Sequence, residues 1–202
     1  SSDLILIFVI SSTTIFFVSV WNGWIGYMPD MEELSNPVDK FASQVYSADG
    51  KLIGTWNQDN ANRVAIDYNS LSPHLVHALV ATEDERFYEH SGIDFIALAR
   101  AVLKRGVLGH DNAGGGSTIT QQLARNFFLT PEKTLIRKAK EAILAIEIEN
   151  ALNKQEILEL YLNKIYLGYR SYGVAAAAKT YFGKELNQLT LSEIAVIAGL
   201  PK

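Results

Sequence analysis

The residues best suited to chemistry lie in Glu83-Asp84-Glu85-Arg86-Phe87-Tyr88-Glu89-His90-Ser91-Gly92. Carboxylates at the end of a helix stand against the macrodipole, which disfavours negative charge there. A cleft at that helix edge would expose them, and the rings of Phe87 and Tyr88 would desolvate a neighbouring Glu and raise its proton affinity towards that of a useful base. The plainer reading is a solvated charge cluster.

A second block runs Gly114-Gly115-Gly116-Ser117-Thr118-Ile119-Thr120-Gln121-Gln122-Leu123-Ala124-Arg125-Asn126. Glycines feeding a helix N-terminus offer free backbone N–H groups to an anion. This is not a nucleotide-binding P-loop, because no Lys separates the last glycine from Ser117. Thr118, Gln121, Gln122 and Arg125 recur at helical spacing, and such a polar stripe suits the wall of a sugar cleft. A flexible linker followed by a polar helix face would look the same.

The third block holds Lys133, Arg137, Lys138, Lys140 and Glu141. Cations in the first turns of a helix oppose its dipole by roughly 0.3–1 kcal/mol each, a cost that an anionic ligand relieves. Lys133, Arg137, Lys140 and Glu141 share a face, with Arg137 and Glu141 at i,i+4. The competing reading is a basic face against lipid headgroups. Two further blocks, Lys154–Gly168 and Tyr172–Lys184, read as core helices from the spacing of Ile157, Leu160, Tyr161 and Ile165 and from the run of small residues ended by Gly183.

Helices must position these groups. Ser72-Pro73 opens one carrying Leu75, Val76, Leu79 and Val80; Asp94 is placed to cap a second with Phe95, Leu98, Ala99, Val102 and Leu103. Glycines through 106–116 predict a mobile loop. Ser117 is expected to cap a third helix, Thr130-Pro131-Glu132 to open a fourth, and Asn153 with Glu156 to form a capping box for a fifth. Val174–Phe182 and Leu191–Leu200 complete the helical pattern. Ahead of them, Gln44–Trp56 reads as a β-hairpin about Asp49-Gly50, with Arg63–Tyr68 as a third strand.

The N-terminus differs in kind. No charge occurs from Leu4 to Pro29, and Leu4–Trp21 is dominated by Leu, Ile, Phe and Val. Trp21, Trp24 and Tyr27 then stand where an interfacial aromatic belt would lie, so a retained transmembrane anchor is favoured over a cleaved signal or a core helix. With no Lys or Arg before Lys40, charge does not orient it. The domains expected are an anchor over 1–28, a connector with the small β region over 29–71, and a mainly α domain over 72–202. The formal net charge of −4 does not suggest nucleic acid as a partner. The absence of cysteine excludes thiolate nucleophiles and Cys-ligated zinc. The histidine pair His74 and His77 lacks a zinc-binding context.

Taken in order, these five blocks resemble the peptidoglycan glycosyltransferase family, found as monofunctional enzymes and as the first domain of bifunctional class A penicillin-binding proteins. The resemblance rests on Glu83-Asp84 with Phe87, His90 and Gly92, on Gly115–Asn126, on Arg137-Lys138-Ala139-Lys140-Glu141, and on Lys154–Gly168 and Tyr172–Lys184. It implies a lysozyme-like helical fold that polymerises lipid II into β-1,4 glycan strands with release of undecaprenyl pyrophosphate. It implies Glu83 as general base and Glu141 as a second acid, assisting the leaving group directly or through a divalent cation such as Mg or Mn. Arg125, Lys133, Arg137 and Lys140 are then expected around the phosphates. Asp84, Phe87, His90, Ser117, Thr118, Gln121, Gln122 and Asn126 complete the expected substrate-binding set. The implied location is the bacterial cytoplasmic membrane with the domain on its extracytoplasmic side. The implied partners are the growing glycan strand, membrane lipid, a following transpeptidase domain and other cell-wall synthesis proteins. The family usually continues past Gly199-Leu200-Pro201-Lys202, so a domain truncated at its C-terminus is expected. Two rival readings are a lysozyme-like glycan-cleaving enzyme, which leaves the basic face without a task, and a catalytically silent anchored scaffold, which would not need Glu83 and Glu141.

Overall fold

The computed structural model describes residues 2–25, 28, 43–48, 52–56, 62–63, 65–106, 116–128 and 134–201. Tyr27, the Asp49-Gly50 turn, most of the glycine loop (107–115) and Lys133 lie outside them.

Helix α1 (Ser2–Trp21) has 20 residues, about 30 Å at ~1.5 Å per residue, which matches a bilayer's hydrocarbon core. It is the one described helix long and apolar enough to cross a membrane, and most of its side chains are exposed. Its hydroxyls do not interrupt it. Thr13 donates to Val9 O at 2.7 Å, Thr14 to Ile10 O at 2.8 Å and Ser19 to Ile15 O at 2.7 Å, so each is satisfied within the helix.

Strands β1 (Ser43–Tyr46) and β2 (Leu52–Trp56) pair antiparallel, as the hairpin pattern predicts. The third strand departs from expectation. The described strand there is Asn62–Arg63 (β3), and it pairs in parallel with the distant β4 (Ser171–Tyr172) rather than with the hairpin. A 3-10 turn (Tyr68–Ser70), started by Asp67 accepting from Asn69 N–H, begins at the last residue of the expected strand.

The helical body comprises α2 (Pro73–Glu83), α3 (Phe95–Gly106), α4 (Ile119–Phe128), α5 (Leu135–Ala151), α6 (Lys154–Lys164), α7 (Val174–Phe182) and α8 (Leu191–Ala198). Together with α1 they make the protein mainly α, as its periodicity predicts. Helix α4 packs against both α5 and α6, and α2 packs against α8. Leu79, Ile119, Leu123, Leu144, Ile148 and Leu162 are all fully or almost fully buried in the shared core. Each such burial stabilises by roughly 1.5–3 kcal/mol. Asn163 Nδ2 donates to Ile66 O at 2.8 Å and Tyr68 N–H to Glu159 at 2.8 Å, which stitches residues 66–68 onto α6. The body thus takes in residues ahead of Ser72, where the connector was expected to end.

The anchor is not a free tether. Val20 is fully buried against Ala139 and Ile143 of α5, with Phe16, Ile25 and Met28 around it. This contact fixes the angle at which the apolar helix leaves the body. Helix α3 shows the opposite behaviour. Its stripe of Phe95, Leu98, Val102 and Leu103, which reads as a core face, remains exposed.

Candidate active site

Glu83 is the last residue of α2. Asp84 follows as the C-cap with φ −158° and ψ 73°, where the chain turns out of the helix. Glu83 lines a polar cavity of about 170 Å³ with Arg86, Arg100, Ser117 and Thr118. Gln122 of α4 donates from Nε2 to Glu83 Oε2 at 3.0 Å, and the hydroxyl of Tyr161 on α6 donates to Gln122 Oε1 at 3.0 Å. Tyr161 is fully buried. Burial first, and the neighbouring Glu83 charge second, push its hydroxyl well above the usual range, so it remains a donor.

Asp84 is turned inward. Its Oδ2 accepts Ile119 N–H at 2.9 Å, at the start of α4, and His90 Nε2–H at 3.0 Å. Gly92 N–H donates to His90 Nδ1 at 3.2 Å, which leaves that nitrogen without a proton. With Nδ1 accepting from Gly92, it is Nε2–H that His90 gives to the Asp84 carboxylate. Gly92 has φ +92°, and a Cβ there would stand 2.7 Å from Ala145 O of α5. Only glycine lets this loop press so close to the helix. Phe87 is fully buried behind the loop, with Lys154 Nζ 4.3 Å over its ring. Asp94 caps α3 by accepting Ile96 N–H at 2.9 Å and Ala97 N–H at 3.0 Å.

Helix α4, which Ser117 was expected to cap, is capped differently. Thr118, not Ser117, does it: Gln121 N–H donates to Thr118 Oγ1 and Thr118 N–H to Gln121 Oε1, each at 3.1 Å. Thr118 Oγ1 also donates to Gly92 O at 2.6 Å, joining the two loops. Gln121 is thus occupied by the cap, which leaves Ser117 available at the cavity.

The basic block sits at the start of α5, where Thr134 supplies the cap; Thr130-Pro131-Glu132, expected to open this helix, lies outside the described residues. Arg137 pairs with Glu141 as its spacing predicts. Lys138 adds what sequence reasoning missed: it lies 2.6 Å from Glu141 Oε2 and donates to Ser117 Oγ at 2.7 Å. Its i,i+3 spacing to Glu141 was a readable signal. Glu141 is 1% exposed, and both of its oxygens face cations. A divalent cation does not fit there, since Arg137 and Lys138 already hold the carboxylate and no metal-binding group of acids or histidines occurs among the described residues. The Nε of Arg137 is buried without a hydrogen-bond partner among the described residues, a donor in need of an acceptor. Lys140 is half-buried on the same helix, Arg125 half-buried in the last turn of α4, and Asn126 exposed beside it.

A second missed network lies beneath the site. Glu149 Oε1 accepts from Thr120 Oγ1 at 2.6 Å and from Lys154 Nζ at 2.7 Å, while Lys154 also donates to His90 O at 2.7 Å. It ties α4, α5 and α6 to the Glu83–Gly92 loop.

An apolar groove of about 990 Å³ runs beside the polar cavity. Phe16 and Phe17 of α1 form one wall, Phe95, Leu98 and Val102 of α3 another, and Leu135 of α5 a third. Gly116 and Ser117 line both spaces, and Lys138 lines the groove at that junction.

Fold and site together define a helical domain, carrying an apolar helix fit to span a bilayer, that sets cleft acids beside cations and a large apolar groove. The chain belongs to the transglycosylase family, whose model matches residues 49–202. It is 59% identical over 183 residues to penicillin-binding protein 1A of Haemophilus influenzae, covering 89% of this chain and 20% of that protein. It is 55% identical over 175 residues to penicillin-binding protein 1A of Escherichia coli, covering 87% and 20%. The chain thus spans about a fifth of the length of the curated relatives it matches. Among solved structures, the crystal structure of penicillin-binding protein 1A from Haemophilus influenzae matches at 37% identity over 78% of this chain and 14% of that one, with a TM-score of 0.36.

Proposed function

We propose that this chain is a peptidoglycan glycosyltransferase domain that polymerises lipid II, with Glu83 as general base. The observation that carries the reading is the order of the three spaces. A lipid-linked sugar is a tail, a pyrophosphate and a sugar in line, and here an apolar groove, a Lys138–Ser117 junction and a polar cavity with Glu83 follow in that same order.

The reaction needs a proton removed and a charged group released. Glu83 takes the proton from the acceptor sugar's 4-hydroxyl as that oxygen bonds to C1 of the donor, whose bond to pyrophosphate breaks. Gln122 holds the Glu83 carboxylate through its Nε2–H. Arg137 and Lys138, with Lys140 on the same helix and Arg125 in the last turn of α4, offset the charge of the departing pyrophosphate, and the unpartnered Nε–H of Arg137 supports that role. Glu141 acts by holding Arg137 and Lys138 in place. Asp84, Phe87 and His90 act as positioning residues, because their buried contacts join the Glu83 loop to α4 and α6. Ser117, bonded to Lys138 at the junction, and the exposed Asn126 are offered to sugar or phosphate oxygens, and Lys133 is kept as a phosphate contact from the motif. The body lies on the extracytoplasmic side of the membrane, with a transpeptidase domain further along the full chain.

The test uses a chain extended beyond Lys202, in detergent, with lipid II and finished glycan in parallel reactions. Polymer from lipid II, lost in Glu83→Gln with the helical signal intact, is the expected result. Full polymerisation by Glu83→Gln removes the base assignment. Shortening of finished glycan without polymer replaces the transferase with a glycan-cleaving enzyme.

A further inference from the structure

The buried tyrosine behind the site has no task in the reaction as written, yet it is the end of a chain of donors aimed at the base. We propose that Tyr161 is a positioning residue that sets the protonation behaviour of Glu83 through Gln122, an inference that rests on Glu83 being the base.

Gln122 can present either its NH₂ or its carbonyl to Glu83, and its neighbours decide which. Tyr161 supplies one O–H, and it donates to Gln122 Oε1 at 3.0 Å. The carbonyl is thereby drawn towards α6, and the NH₂ is left facing Glu83 Oε2 at 3.0 Å. In that order each bond strengthens the next, and the ionised carboxylate is the form stabilised. The flipped amide would turn a carbonyl towards the carboxylate and suit only its protonated form. Gln122 and Tyr161 are 9% and 0% exposed, so water cannot substitute for a lost partner.

Other charges surround the same carboxylate and act on it separately. Asp84, Glu85 and Arg86 belong to its own segment, while Asp94 and Arg100 line the cavity from the start and body of α3. Arg125 of α4 lies close enough to lower the proton affinity of Tyr161, against Glu83 and Asp84, which raise it. None of these contacts depends on the Tyr161 hydroxyl, so deleting that one oxygen isolates the relay.

The variants are Tyr161→Phe, Gln122→Met and the pair combined, in the extended membrane-anchored protein in detergent. The hydrogen bond to the charged group is the one Gln122 gives Glu83, worth about one pH unit of carboxylate titration, and without the Tyr161 hydroxyl the Gln122 amide is no longer held to make it. The acid limb of kcat/KM, which reports the free enzyme's base, should therefore move up by as much as about one unit in Tyr161→Phe. The high-pH plateau should hold within about threefold. Gln122→Met should move the limb the same way, and adding Tyr161→Phe to it should move it no further. A uniform loss at every pH, or shifts that add in the double variant, overturns the relay.

Infrared titration reads the same group without turnover, because the protonated-carboxyl band of Glu83 is the one that Glu83→Gln removes. That band should appear higher by as much as about one unit in Tyr161→Phe. If the band moves but Glu83→Gln still polymerises, the base assignment fails and the coupling stands. If Glu83→Gln is dead and neither band nor limb moves in Tyr161→Phe, the relay fails alone.

Discussion

Asp84 is the more exposed to test of the two adjacent acids, because the structure gives it a structural task that a single atom change should reveal. Asp84→Asn keeps shape and volume and replaces one oxygen by NH₂. The buried carboxylate accepts Ile119 N–H at 2.9 Å and His90 Nε2–H at 3.0 Å on Oδ2, with Oδ1 also 3.1 Å from the same ring nitrogen. If the asparagine oxygen takes the Oδ2 position, its NH₂ confronts the His90 N–H. If it flips, Ile119 loses its acceptor. His90 cannot relieve the conflict by moving its proton, because Nδ1 is held by Gly92 N–H at 3.2 Å. A hydrogen bond to a charged group contributes about 1.5–3 kcal/mol against about 0.5–1.5 for a neutral one, so two such bonds give a loss of about 2–3 kcal/mol. Relief from burying a charge offsets part of this and places the result at the lower end. For a chain of this size that corresponds to a fall in Tm of about 4–12 °C. The assay is thermal unfolding of the helical body by circular dichroism in micelles, paired with ¹⁵N NMR of the histidines. A drop under about 1 °C, well below the ~2 °C that even 1 kcal/mol would give, refutes the reasoning. So does a His90 ring that carries its proton on Nδ1.

Two further outcomes follow from the site. Lys138→Ala should weaken binding of pyrophosphate-linked substrate by about tenfold, the worth of one charge-assisted contact, while binding of free glycan changes little; isothermal titration with both ligands checks this, and an equal loss for the two removes the phosphate role. Asp94 is a pH test. Burial raises its proton affinity, but the N–H groups of Ala97 and Ile96 and the charge of Arg86 together outweigh that and hold it below the usual carboxylate range. Its contribution to stability is therefore complete above the ordinary titration range near pH ~4 and is lost as pH falls through the depressed value. Asp94→Asn retains a cap without the charge, so its Tm should fall less than the parent's between about pH 5 and about pH 3, and the two should converge at the acid end. Parallel pH curves would show that the Asp94 charge does not act.

Much of the frame is local and was legible residue by residue. A helix cap bonds across three residues, so Asp94 over Ala97, Asn153 with Glu156 and the left-handed Gly183 after α7 could be read directly and are present. The apolar run of α1 needs only composition, and Arg137 with Glu141 needs only helical spacing. Glu83 could be singled out because an acid between a helix end and two aromatic residues is locally unusual. What reached the wrong residue did so through competing local choices: Ser117 and Thr118 are equally good caps by type, and contact with Gly92 O selects Thr118.

Tertiary packing alone decided the rest. Nothing near Tyr161 in sequence distinguishes it from a core residue, although a buried phenol must find a partner and that requirement was a signal. Its partner is 39 residues away, as is Gln122 from Glu83, and Asp84 reaches Ile119 across 35. Such pairs exist only once α2, α4 and α6 have buried their apolar faces against one another, because burial fixes which polar tips meet. The same holds for the groove. The apolar stripe of α3 looks like a core face by period, and only the position of α1 on α5 shows that it stays open beside the anchor. Periodicity reports that a face is apolar; what covers it is a property of the assembled fold.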